Sequence, residues 1–105
     1  MPPRQRIPSR PERTGSPITA VLDLLGRRWS LRIVWELRSG PLTFRELQEA
    51  CGGISASVLN TRLGELREFG IVDAGITLTR EGGKLLEAYA PIERWSKRWA
   101  RRTGS

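Results

Sequence analysis

The chain of 105 residues has no histidine, one cysteine, one tyrosine and one methionine. Without histidine there is no Ser-His-Asp or Cys-His nucleophile system, and the commonest metal ligand is gone. A lone cysteine, Cys51, can close neither an internal disulfide nor a Cys-rich zinc site. Long apolar runs are missing too. The most apolar stretch, residues 18–25, is eight residues long and contains Asp23, against the roughly 20 that a membrane span needs. No paired-carboxylate motif offers an acid and a base. The expectation is therefore no catalytic residues, no metal, no cofactor and no membrane span, with a reducing cytoplasm as the natural compartment for one thiol.

What is present is positive charge: 18 Lys+Arg against 11 Asp+Glu, a formal charge of +7, which points to a polyanionic partner. The excess lies at the ends. Residues 1–16 carry +3, residues 17–93 carry −1 and residues 94–105 carry +5. Residues 1–16 hold four Arg and four of the seven Pro, too little apolar surface to offset ordering entropy, so they are expected to be a disordered basic arm. The domain proper is expected over 17–102.

Within it, helical signals recur. Pro17 suits a first helical position, and Val21, Leu22 and Leu25 follow at helical spacing up to Gly26. Trp29, Ile33 and Leu37 mark a second helix, ended by Gly40-Pro41. Thr43 and Glu46 are spaced as a capping box and Leu42 and Leu47 as a hydrophobic staple, starting a short helix from Phe44 to about Ala50. Ser55 caps a fourth helix with an apolar stripe of Leu59, Leu63 and Leu66, terminated near Gly70. Ile71-Val72 and Ile76-Thr77-Leu78 are β-leaning runs about Ala74-Gly75, which predicts a very short hairpin. Thr79 caps a fifth helix through Tyr89, and Pro91 is read as opening a sixth with Ile92, Trp95 and Trp99.

A short capped helix, a tight turn and a longer helix, followed by a hairpin, is the winged helix-turn-helix arrangement: mainly α with a small β-hairpin. Its second helix, about residues 55–69, would enter the DNA major groove. Opposite the leucine stripe lie Ser57, Asn60 and Thr61. Asn can pair bidentately with adenine, and Ser or Thr can meet any base. Ser55 stands at the same end, while Arg45, Arg62 and Arg67 are expected to reach phosphates. Taken singly these are ordinary solvated positions; the frame is what groups them.

These residues also carry a family resemblance. Leu22-Asp23-Leu24-Leu25-Gly26-Arg27-Arg28-Trp29, Gly40-Pro41-Leu42-Thr43-Phe44-Arg45-Glu46-Leu47, Ile54-Ser55, Arg62-Leu63, Glu65-Leu66, Gly70-Ile71-Val72 and Leu78-Thr79 occur in the order and spacing of the HxlR-type regulators. The segment from Pro17 to Trp99 resembles that winged-helix group, which is related to the MarR superfamily. The resemblance implies a bacterial or archaeal dimeric DNA-binding regulator whose terminal helices form the dimer interface. On this chain that means Val21, Leu22, Leu25, Tyr89, Ile92, Trp95 and Trp99, and a pseudo-palindromic operator as partner; the sequence names no effector. Ser16-Pro17 replaces the family's frequent Cys-Pro pair, so sensing through that position is excluded, and the segment between the strand runs is shorter than the family's basic wing.

Cys51 is read as a small packed hydrophobe rather than a redox sensor. Two other functional classes remain open to the sequence. One is a winged-helix protein-interaction module using Glu65 and Glu68; the other is peripheral membrane attachment through the Trp- and Arg-bearing last helix.

Overall fold

The computed structural model describes residues 16–104. Among them are five helices: α1 (Pro17–Leu25), α2 (Ser30–Glu36), α3 (Phe44–Ala50), α4 (Ala56–Glu68) and α5 (Arg80–Thr103). The expected arm over residues 1–16 lies outside the described residues, except for Ser16, the extended N-cap of α1.

Side-chain caps start three of the helices where the sequence predicts. The Thr43 hydroxyl accepts from the Glu46 amide at 3.0 Å, and the Glu46 carboxylate accepts from the Thr43 amide at 2.9 Å, a complete capping box for α3. Ser55 Oγ accepts from the Val58 amide at 3.1 Å, opening α4. Thr79 does the same for α5 through the Gly82 amide at 3.0 Å. One side of each of the first four helices then supplies the core: Leu24 from α1, Ile33 and Val34 from α2, Leu47 from α3, and Leu59, Leu63 and Leu66 from α4. Burying each such side chain contributes about 1.5–3 kcal/mol. Trp29, between α1 and α2, adopts a left-handed backbone with φ 82°, an unfavourable conformation for a bulky side chain.

Two expectations are corrected. There is no β-strand or hairpin among the described residues; Val72 and Leu78 form only an isolated antiparallel bridge. The reason lies in the groups that a ladder would have used. The Asp73 carboxylate accepts from the amides of Gly75 and Thr77 at 2.9 and 3.1 Å. Arg67 from α4 donates to the carbonyls of Asp73 and Ala74 at 3.0 and 3.3 Å. With Ile76 at φ 57°, the segment is a side-chain-tied loop in the wing position.

The second correction concerns the C-terminus. The fifth and sixth helices of the sequence reading are one 24-residue helix with Pro91 inside it. Leu86, Tyr89, Glu93, Ser96 and Ala100 are partly buried and fall on one stripe when counted at 100° per residue, so the packed side of the helix continues in phase through the proline. Glu81 in the first turn and Arg101 and Arg102 in the last suit the helix dipole, partly offsetting the proline's cost. At its start, Thr79 donates from its amide to the Ile71 carbonyl at 3.0 Å and from its hydroxyl to the Gly70 carbonyl, clamping α5 to the wing loop.

Candidate nucleic-acid interface

The turn from α3 to α4 runs over residues 51–55. Gly52 and Gly53 take φ 70° and 123°, conformations that favour glycine, and Gln48 closes the turn by donating to the Ile54 carbonyl at 3.3 Å. The turn fixes α4 with its leucine stripe inward. On the opposite face Ser57, Asn60 and Thr61 are exposed. The Ser57 and Asn60 side chains make no hydrogen bond among the described residues. The Thr61 hydroxyl donates to the Ser57 carbonyl at 3.1 Å, which leaves its oxygen free to accept. Ser55, also exposed, uses its hydroxyl as the cap.

The arginines divide sharply. Arg45 on α3 has a side chain 86% exposed and only a 3.6 Å contact to Glu49, so it remains available to a phosphate. Arg62 points inward: its Nε donates to the Arg28 carbonyl at 2.9 Å and its Nη1 pairs with Glu65 at 3.2 Å. Arg67 is the tie to the wing loop described above. Glu65 also pairs with Arg27 at 3.2 Å, so this carboxylate is neutralised within the protein instead of facing a partner. Sequence reasoning missed Arg27 and Arg28 as parts of the site and placed Glu65 only on a partner-facing surface. The spacing of Arg62 and Glu65 was visible on a helical count; the link to the Arg28 carbonyl spans 34 positions and carried no local signal.

The residues expected at a dimer face fall into two groups. Leu22, Ile92, Trp95 and Trp99 are exposed, joined by Ile18, which the sequence reading did not single out. Trp95 and Trp99 are 52% and 49% exposed and stack with centroids 6.0 Å apart. Val21, Leu25 and Tyr89 are half-buried, and Tyr89 meets the edge of Trp35 at 6.5 Å. The described residues contain no group of three or more His, Cys, Asp or Glu arranged to hold a metal, and no helix among them is long and apolar enough to cross a membrane.

Cys51 is buried at the end of α3. Burial pushes its thiol pKa up; nearby Arg32 pulls it down and Glu36 pushes it up, with burial the largest influence. The thiolate is therefore scarcer than in a free thiol. Alkylation by iodoacetamide at pH 8 is expected to run at least about tenfold slower than with a small free thiol. An equal or faster rate would show a reactive cysteine.

A capped helix, a glycine turn and a longer helix with a polar outward face define a helix-turn-helix protein that binds DNA. Comparison with known proteins gives the family. A family model described as HxlR-like helix-turn-helix matches residues 24–104, and the chain belongs to that family. It is 31% identical over 88 residues to the HTH-type transcriptional regulator YvaP of Bacillus subtilis, covering 74% of this chain and 82% of that one. The regulator YodB of the same organism is 31% identical over 87 residues, covering 73% and 78%. The crystal structure of quinone-bound YodB superposes with a TM-score of 0.73 at 32% identity, covering 77% of this chain and 96% of that one. A MarR-family regulator from Enterococcus faecalis superposes at 0.72 with 28% identity, covering 87% and 94%. The protein is thus a DNA-binding transcriptional regulator and not an enzyme.

Proposed function

We propose that the protein works in the cytoplasm as a homodimer that lays two copies of α4 into successive major grooves of a pseudo-palindromic site, about 34–36 Å apart. The observation that carries this reading is the outer face of α4. Ser57, Asn60 and Thr61 are exposed there together, while the neighbouring Arg62 and Arg67 are engaged inside the protein. Base contacts then come from Asn60, Thr61 and Ser57, with Ser55 at the helix entry. Phosphate contacts come chiefly from Arg45 and the basic residues of 1–16. The exposed apolar residues of α1 and α5, namely Leu22, Ile92, Trp95 and Trp99 with Ile18, form the dimer face, extended by Val21, Leu25 and Tyr89.

The test is selection of bound sequences from a random duplex library. Wild type is expected to enrich a two-fold symmetric site. Asn60→Ala is expected to lose preference at one position in each half-site, by about 1–3 kcal/mol per base pair. An unchanged preference would remove Asn60 from the reading face.

A further inference from the structure

We infer that Glu65 is a positioning residue of the DNA reader, holding Arg27 and Arg62 together so that the tilt of α4 is locked to the end of α1. This rests on α4 being the reading helix and α1 part of the dimer face.

The geometry is a closed set of contacts across three segments. Arg27, in the turn after α1, pairs through Nη2 with Asp23 of α1 at 2.9 Å and through Nη1 with Glu65 of α4 at 3.2 Å. Arg62 pairs with the same Glu65 at 3.2 Å and donates from Nε to the Arg28 carbonyl at 2.9 Å. The Glu65 and Arg62 side chains are 23% and 21% exposed, so water screens the pair less than a surface ion pair. The junction they grip is held in an unfavourable local state. Trp29 is left-handed at φ 82°, and the hydroxyl of Ser30 beside it is fully buried with no hydrogen-bond partner among the described residues. A conformation that local preference opposes persists only where surrounding contacts over-determine it, and the contacts from α4 are such a constraint.

The consequence concerns half-site spacing. α4 has 13 residues, about 20 Å of helix. A tilt of about 10° therefore moves its far end by about 3.4 Å, about one base-pair step. If α1 anchors the partner, the carboxylate of Glu65 sets where each reader lies relative to the two-fold axis. Its two arginine partners are then not phosphate contacts.

Two measurements on the full chain test this. In the first, binding is followed on duplexes whose two half-sites are separated by spacers varied one base pair at a time. Glu65→Gln is expected to reduce the advantage of the best spacing over its neighbours by about tenfold, with the salt dependence of affinity unchanged. Arg62→Lys, which keeps the charge but not the guanidinium fork, is expected to behave alike. An unaltered spacing profile would overturn the proposal, as would an Arg62→Gln variant whose only effect is a salt slope lower by about one.

In the second, spin labels at Ile18→Cys and Asn60→Cys in a Cys51→Ser background report the α1 to α4 distance within one protomer, diluted with unlabelled protein. Glu65→Gln is expected to widen that distribution, and an unchanged width would count against the clamp. Because this readout needs no DNA, a widened distribution in the labelled Glu65→Gln protein together with no sequence preference in the unlabelled wild type would sink the operator reading while leaving the clamp in place.

Discussion

Gly82→Ala is expected to lower the thermal midpoint by more than about 10 °C, corresponding to a loss of about 2–3 kcal/mol in a domain of this size. Gly82 is buried in the first turn of α5, and a Cβ there would overlap the carbonyl oxygen of Ile71. That oxygen cannot simply move aside. It accepts from the Thr79 amide at 3.0 Å, one of the bonds that clamp α5 to the wing loop, and it belongs to main chain rather than a flexible side chain. The adjacent Gly83 is the control. A Cβ at Gly83 meets nothing within 4 Å, so Gly83→Ala should gain about 0.5–1 kcal/mol from helix propensity alone. Opposite signs from neighbouring glycines would establish close packing at Gly82; equal effects would show that the junction relaxes freely. Differential scanning calorimetry of the two variants decides it.

Trp95→Glu is expected to convert a dimer into a monomer in sedimentation velocity at micromolar concentration, with little change in the fold of each protomer. Trp95 is 52% exposed in the single chain and stacks on Trp99, so its removal opens no cavity in the core. In the assembled dimer it would be an aromatic anchor, a class of residue worth about 2–4 kcal/mol at an interface, and a carboxylate there adds an unpaired buried charge. Loss of the second subunit removes the linked second half-site, so operator affinity should fall by about 100-fold or more. A variant that remains fully dimeric would move the interface elsewhere.

The parts of the fold legible in the sequence were those specified within one helical turn. The Thr43 and Glu46 pair, Ser55 and Thr79 each act on an amide three residues away, and each appears as a cap in the structure. The glycine pair after α3 likewise marked the turn that orients α4. The hairpin was misjudged because β-leaning side chains said nothing about competition for the backbone. Asp73 and Arg67, one within the loop and one on α4, take the polar groups that a ladder needs. Pro91 was read as a helix start, yet the partly buried side of the helix runs in phase from Leu86 to Ala100 across it, which outweighs the missing amide. At the site, exposure of Ser57, Asn60 and Thr61 followed from the leucine periodicity. The inward turn of Arg62 did not, since its carbonyl partner comes from a distant turn, and an isolated arginine beside a reading face looks the same whether it faces a phosphate or the protein.

The unbroken α5 has a mechanical meaning. Twenty-four residues make a rod about 36 Å long, anchored at one end to the wing loop by Thr79 and bearing Trp95 and Trp99 near the other. Two helices joined at Pro91 would have let the aromatic end settle against a neighbour without disturbing the loop. A single strut restricts that independence: a shift at the aromatic end is carried toward the loop beside α4 except as far as the helix bends at Pro91.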